Sequence, residues 1–356
     1  MLAYATMAAD PRVTSLTDVP GFRVGHATDS RGLTGCTVIL CGDGAVPGLD
    51  VRGLAAGLRD PGPCEPSHLV PVVHAVLLSG GSAYGLDAAS GVMSFLEKRG
   101  VGFRVGEAIV PIVTAAIIFD LSVGSPRARP TAGMARKACR AASHRPITQG
   151  NVGAGTGASV GKLRGIGRAM KSGLGSASRS KGPLVVGALT VVNAWGDVID
   201  PSSGEIVAGL RDSPRGTRRT GTTQAILRGG FDRAAGPGLR ESSTDPDRRR
   251  GGAPPPSTTL GVVATNARLT KIEATAVARM TQIAYARCID PVWTRFDGDV
   301  IFCLSRGDLR TDPLIVGTLA IQAMEEAILR AALLAPGLRG LPAARDLERH
   351  ERPRST

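Results

Sequence analysis

Ser257-Thr258-Thr259-Leu260-Gly261-Val262-Val263-Ala264-Thr265-Asn266 is the stretch on which the reading of this chain turns. It follows a basic run rich in Gly and Pro that ends in Ala253-Pro254-Pro255-Pro256. From Leu260 to Ala264 it is apolar and largely β-branched, the composition of a buried strand. Thr258 is stiff at χ1 and suits a strand start. Were the bond before it severed, one residue would carry a hydroxyl and a free α-amine. With a reference pKa of about 7.7–8.0, that amine can take the hydroxyl proton near neutral pH, an arrangement known for activated threonine nucleophiles. The plainer alternative at this point is that the two threonines only open a strand.

Working outward, 356 residues suffice for a large core and for one or two domains. Hydrophobic residues make up 42 % but aromatics only 3 %, so the core must be built from Val, Ile, Leu and Ala. The net charge of +13 is concentrated in segments that read as unfolded: Arg211 to Arg250 holds ten Arg against five acidic residues. A nucleic-acid surface needs its cations on an ordered face with aromatics between them, so specific nucleic-acid binding is not expected. Cys36, Cys41, Cys64, Cys139, Cys288 and Cys303 are dispersed and without metal-ligand spacing. They read as buried free thiols in a reducing compartment. Residues 1–10 lack the basic and apolar regions of a signal peptide, and the run Ile109 to Ile118 is about half a membrane span. The expectation is a soluble cytoplasmic protein with no membrane partner, no metal and no cofactor.

In chain order, residues 1–15 read as a disordered leader. Strands are expected near His26, over Cys36–Cys41 and over His74–Leu78, the last running into Ser79-Gly80-Gly81-Ser82-Ala83-Tyr84-Gly85 and a helix over Leu86–Arg99. Ser82 falls short of a nucleophile elbow, because Gly85 comes one place late for Gly-x-Ser-x-Gly. Glu107 to Leu121, which contains Phe119, reads as a buried segment. The run Gly150 to Gly161 fails as a phosphate loop, with Thr156 at the first glycine position and Leu163 after Lys162. Lys162 is one of only six lysines beside 37 arginines. Pro183 to Val192 is a strand closed by Asn193, either a turn residue or an amide aimed into a cleft. Residues 211–257 read as a disordered linker. Beyond the Thr258 strand, Thr270 and Glu273 form a capping box for a helix to Arg287. Asp297 and Asp299 flank a glycine before another strand, a weak metal signal without a third ligand. A helix over Pro313–Leu334 precedes a charged tail, 336–356.

Several of these motifs, in this order, resemble the L-aminopeptidase/D-Ala-esterase (DmpA) family of self-cleaving hydrolases, which includes the nylon-oligomer endohydrolase and β-aminopeptidases. They are Gly-Gly-Ser-Ala-Tyr-Gly-Leu from Gly80, the segment around Phe119, the glycine run ending at Lys162, Asn193, and the Thr258 segment. The resemblance covers about residues 16–335. It implies an α/β fold, a four-layer αββα sandwich of two packed sheets, with Thr258 opening a central strand. It implies cleavage between Ser257 and Thr258 into chains 1–257 and 258–356, with Thr258 as nucleophile. Asn193 would then donate to the oxyanion, while Lys162, Asp297 and Asp299 set charge and orientation. Gly81, Ser82, Tyr84 and Phe119 would border the substrate, a small peptide or amide, in a homo-oligomer of cleaved heterodimers. Phe119 stands where the nylon-oligomer member carries a tyrosine hydroxyl, and Ser257 where relatives carry Asn or Gly. Two rival readings follow: acyl transfer in the manner of ornithine acetyltransferases, or an inactive, uncleaved paralogue.

Overall fold

The computed structural model of the chain describes residues 14–230, 256–338 and 340–351. Its principal strands are β1 (Arg23–Asp29), β2 (Thr34–Val51), β3 (Leu58–Arg59), β4 (Val73–Ser79), β5 (Val113–Ile117), β6 (Leu174–Lys181), β7 (Leu184–Asn193), β8 (Thr258–Ala267) and β9 (Val300–Leu309). The helices used below are α1 (Ala89–Glu97), α2 (Ala132–Ala141), α3 (Lys271–Cys288), α4 (Pro313–Leu333) and α5 (Ala344–Glu351). The strands join in the order β6-β7-β8-β9-β2-β4-β5-β3, with β1 on β2. Strand β2 is long enough to serve two halves. Its first part pairs with β1 and β4, its last part with β9, and its register breaks between Leu40 and Ala45.

Period-two alternation turns those halves into layers. Leu260 and Val262 of β8 and Phe302 of β9 share one apolar cluster with Ile39 of β2 and Val76 and Leu78 of β4, so the halves face each other. The opposite side of the first half, with Val263, Ile301 and Cys303, packs on α3 and α4. On the second half, Val38, Ala75 and Leu77 pack on α1 and α2. The order is therefore helix, sheet, sheet, helix, as the resemblance implies. Aliphatic residues supply nearly all of this core. Each fully buried Val, Leu or Phe contributes about 1.5–3 kcal/mol. The parallel pair β8 and β9 is joined through α3, the crossover that parallel strands require.

Helix α3 begins as expected: Thr270 Oγ1 accepts the Glu273 N–H, and Glu273 Oε2 accepts the Thr270 N–H at 2.7 Å. Thr270→Ala should cost about 1 kcal/mol in urea unfolding while leaving turnover unchanged.

Several segments differ from expectation. The leader ends before Ser15, which is buried, and Leu16 N–H donates to Ser176 Oγ at 2.9 Å. Only residues 1–13 of it lie outside the described residues. Ser82–Ala88 forms a 3-10 helix ahead of α1, in place of a single α-helix from Leu86. Glu107 to Val110 is largely exposed, so the buried part of that segment begins at Pro111. The linker expected from 211 is ordered as far as 230. Arg211 is buried, and its guanidinium donates to the carbonyls of Ala169, Pro214, Gly216 and Gly167. Local composition hid this, because two of the anchoring carbonyls, Ala169 and Gly167, lie 42 and 44 residues away in sequence. Residues 231–255 of the expected linker lie outside the described residues. The charged tail also packs in part, with Leu341, Ala343, Ala344 and Leu347 buried around the start of α5.

Candidate active site

The last residue of β7 pairs with the first of β8, which sets Asn193 opposite Thr258 at one end of the sheet. The chain before Thr258 runs parallel to the turn before β9: Ser257 N–H donates to Phe296 O at 2.7 Å and Gly298 N–H donates to Ser257 O at 3.0 Å. Thr258 is only 2 % exposed, and its hydroxyl donates to the carbonyl oxygen of Ser257 at 2.6 Å. Backbone pairing alone therefore brings hydroxyl, carbonyl and amide N–H together.

Lys162 enters from the glycine run. Gly161 N–H to Gly196 O and Lys162 N–H to Trp195 O dock this stretch on the turn that follows β7. Earlier in the run, Gly153 takes φ +53, and a Cβ there would lie 2.2 Å from Thr37 Oγ1, so a side chain is excluded. The Lys162 side chain is fully buried. Its Nζ donates to Asn193 Oδ1 at 2.7 Å, to Asn193 O at 2.9 Å and to Ser257 Oγ at 3.2 Å. Burial lowers its pKa to about 7, against the pull of Asp297, Asp120 and Asp299, which favour the charged form.

Asn193 is held on both ends of its amide. Its Oδ1 also accepts the Ser159 N–H at 3.1 Å, and its Nδ2 donates to Phe119 O at 3.2 Å. One amide hydrogen is thus engaged with the backbone rather than turned to the scissile carbonyl. Asp297 Oδ1 accepts the Trp195 N–H at 3.0 Å, while its Oδ2 accepts the hydroxyl and N–H of Thr294. Asp299 Oδ1 accepts the Thr259 N–H at 2.6 Å. Burial pushes both carboxyls up. Asp299 rises well above the usual range, because the neighbouring Asp297 adds to its burial. For Asp297 the Thr294 hydroxyl, the Trp195 N–H and the Lys162 charge oppose the rise.

Of the expected border residues, Phe119 joins this group through its carbonyl. Gly81 and Ser82 adjoin the same segment, with Gly81 N–H on Asp120 Oδ1 at 2.7 Å and Ser82 N–H on Ile118 O at 3.0 Å. Ser82 adopts φ +55, an outlier of the kind found at functional sites. Tyr84 stands apart: it is 54 % exposed, with the Arg129 guanidinium 3.4 Å from its ring centroid.

Sequence reasoning missed four buried groups around this set. Asp120 accepts the Thr34 hydroxyl at 2.6 Å and so fixes the segment that carries Phe119. Lys171 donates to the carbonyls of Gly155, Ala158 and Ser172, and so ties down the glycine run. Asp197 accepts the Thr222 N–H and hydroxyl and the Leu210 N–H, and burial raises it to about 6. That anchors residues 210–226, from which Leu210, Ala225 and Ile226 pack against Trp195 and Phe296. The Gly298 N–H is the fourth. The scarcity of lysine was a usable signal for Lys171; a backbone N–H leaves none.

The αββα sandwich matches solved structures over nearly their whole length. A Burkholderia sp. beta-aminopeptidase aligns with TM-score 0.66 at 18 % identity, covering 96 % of each chain. The L-aminopeptidase D-Ala-esterase/amidase of Ochrobactrum anthropi, described as a variant of the Ntn hydrolase fold, aligns with TM-score 0.67 at 18 % identity, over 95 % of this chain and 92 % of that one. More narrowly, the chain belongs to peptidase family S58, whose profile matches residues 14–344. An uncharacterized aminopeptidase of Mycobacterium tuberculosis (strain H37Rv) is 35 % identical over 361 residues, 94 % of this chain and 98 % of the relative. A 6-aminohexanoate-oligomer endohydrolase of Kocuria sp. is 32 % identical over 337 residues, 90 % and 86 % respectively. The protein is accordingly a hydrolase of peptide or amide bonds. No described helix is long and apolar enough to cross a membrane.

Proposed function

We propose that the chain cuts itself between Ser257 and Thr258, and that the freed Thr258 is the nucleophile of an aminopeptidase or amidase acting on small peptides or linear amides. The observation that carries this reading is the Thr258 hydroxyl, bonded at 2.6 Å to the carbonyl of the very bond to be broken. In self-cleavage the Thr258 Oγ–carbonyl bond forms, and the hydroxyl proton passes to the departing amide nitrogen. The C–N bond breaks to an ester with a free amine. Water then cleaves the ester, returning the hydroxyl and leaving a Ser257 carboxylate. In turnover the same oxygen attacks the substrate carbonyl, with the Thr258 amine as its base. Lys162 lies one residue away through Asn193 and Ser257, where its charge favours a neutral amine. Asp297 holds the backbone at Trp195, past the end of β7, and Asp299 holds it at Thr259, next to the nucleophile.

The printed names of the relatives, an aminopeptidase and an oligoamide endohydrolase, support the substrate class. In the uncut chain Ser257 fills the space in front of the hydroxyl, and both residues are buried. Cleavage therefore precedes activity in this reading. Denaturing electrophoresis with N-terminal sequencing tests it: the smaller fragment should begin at Thr258, and amidase activity should rise in step with that fragment. An uncut preparation that hydrolyses amides at full rate would rule it out.

A further inference from the structure

We infer that the backbone N–H of Gly298 is the oxyanion donor for self-cleavage, a catalytic group contributed by main chain alone. The inference rests on the reading of Thr258 given above. When the Thr258 oxygen adds to the Ser257 carbonyl carbon, the C=O π electrons move onto Ser257 O, and that atom becomes the anion. In the uncut chain it already accepts the Gly298 N–H at 3.0 Å, so a donor is aimed at this oxygen before charge develops on it. The Asn193 amide, the donor that the resemblance suggests, gives one Nδ2 hydrogen to Phe119 O, and its Oδ1 accepts from Ser159 N–H and Lys162; the hydrogen bond to Ser257 O comes from Gly298.

The peptide unit between Asp297 and Gly298 is held so that its N–H cannot drift. Its carbonyl, Asp297 O, accepts the Ala55 N–H at 2.9 Å. The Asp297 N–H donates to Thr294 O at 3.0 Å, and Asp299 O accepts the Arg52 N–H at 2.7 Å. The turn at 52–55 therefore clamps the unit from behind while its N–H faces the scissile carbonyl. The fit requires glycine: a Cβ on Gly298 would lie 2.4 Å from the carbonyl carbon and oxygen of Ala55. Gly53 is equally constrained, since at φ +80 its Cβ would meet Asp297 O at 2.2 Å. A donor fixed before the reaction needs no reorganisation as charge develops, which is where such groups gain their effect. Asp297 and Asp299 thereby acquire a second function. Their side chains hold the backbone at Trp195, just past β7, and at Thr259 of β8, beside the peptide whose N–H does the work.

The test removes the hydrogen and little else. Glycolic acid in place of Gly298, introduced by nonsense suppression in the full chain, turns the amide into an ester and deletes the donor without adding a side chain. The appearance of the fragment beginning at Thr258 should slow about 10²–10³-fold relative to wild type made by the same route, with thermal unfolding of the two uncut proteins alike. Slowing of less than about tenfold overturns the assignment while leaving Thr258 as nucleophile intact. A wild-type chain that never splits removes the reading beneath it. Gly298→Ala should slow cleavage in the same direction, but its methyl also displaces the 52–55 turn, so the ester variant decides.

Discussion

Thr258→Ala should leave the chain intact at 36.6 kDa and lower amide hydrolysis by roughly 10⁴–10⁶-fold, the scale of removing a nucleophile that acts as part of a unit. The size follows from the double use of one oxygen. Without it neither the internal ester nor the acyl-enzyme forms, and the α-amine that would act as base stays locked in a peptide bond. Folding should be little affected. The change deletes a hydroxyl and a methyl at a strand start whose pairing with Asn193 is by backbone. Thr258→Ser is the complementary case. It keeps the oxygen and the future amine, so the chain should still split at the same bond. Intact-mass measurement together with turnover of an amide substrate checks both variants. Splitting of the alanine variant at 257–258 would show that another group attacks this bond.

The sequence made the strand pattern legible where burial was complete. The β-branched runs before Asn193 and after Thr258 are strands β7 and β8, and the Thr270–Glu273 pair caps α3 where expected. Of the side chains read as chemical from the motifs, Asn193 ends β7 and Thr258 opens β8 opposite it, Lys162 bonds Asn193, and Asp297 and Asp299 bond the Trp195 and Thr259 N–H groups. The supporting groups were invisible for two physical reasons. Some act through backbone, as Gly298 and Ser159 do, and backbone donors carry no residue-type signature. Others are partners separated by long stretches of chain: Thr34 with Asp120, Asn193 with Phe119, Arg211 with Ala169. Composition misled for the same reason at 211–230, where a polar, Arg-rich segment is anchored by a buried carboxylate at Asp197 and by carbonyls of another loop. Disorder rules weigh apolar content, and this segment is held down mainly by hydrogen bonds.

Lys162→Met should separate stability from activity. The thioether fills nearly the same buried volume, so the fold survives and the cost of burying an amine disappears. The sign of the linkage is fixed. Burial lowers the lysine from 10.5 to about 7 in the folded chain, so between those values the unfolded chain binds more protons and stability rises with pH. Below about 7 the folded protein carries the full penalty of a buried cation. The methionine variant escapes it, and its unfolding midpoint should exceed that of wild type most clearly at acid pH, with the gap closing as pH climbs through that window. Activity should move the other way. Without the cation the Thr258 amine loses the neighbour that favours its neutral form, and the acid limb of kcat/KM should shift up by about one pH unit toward that of an ordinary α-amine. Turnover at pH 7 should fall about 10²-fold or more, since charge developing beside Asn193 and Ser257 also goes unopposed. Thermal melts and pH–rate profiles of wild type and variant distinguish this from a purely structural lysine, whose loss would lower stability and leave the acid limb where it was.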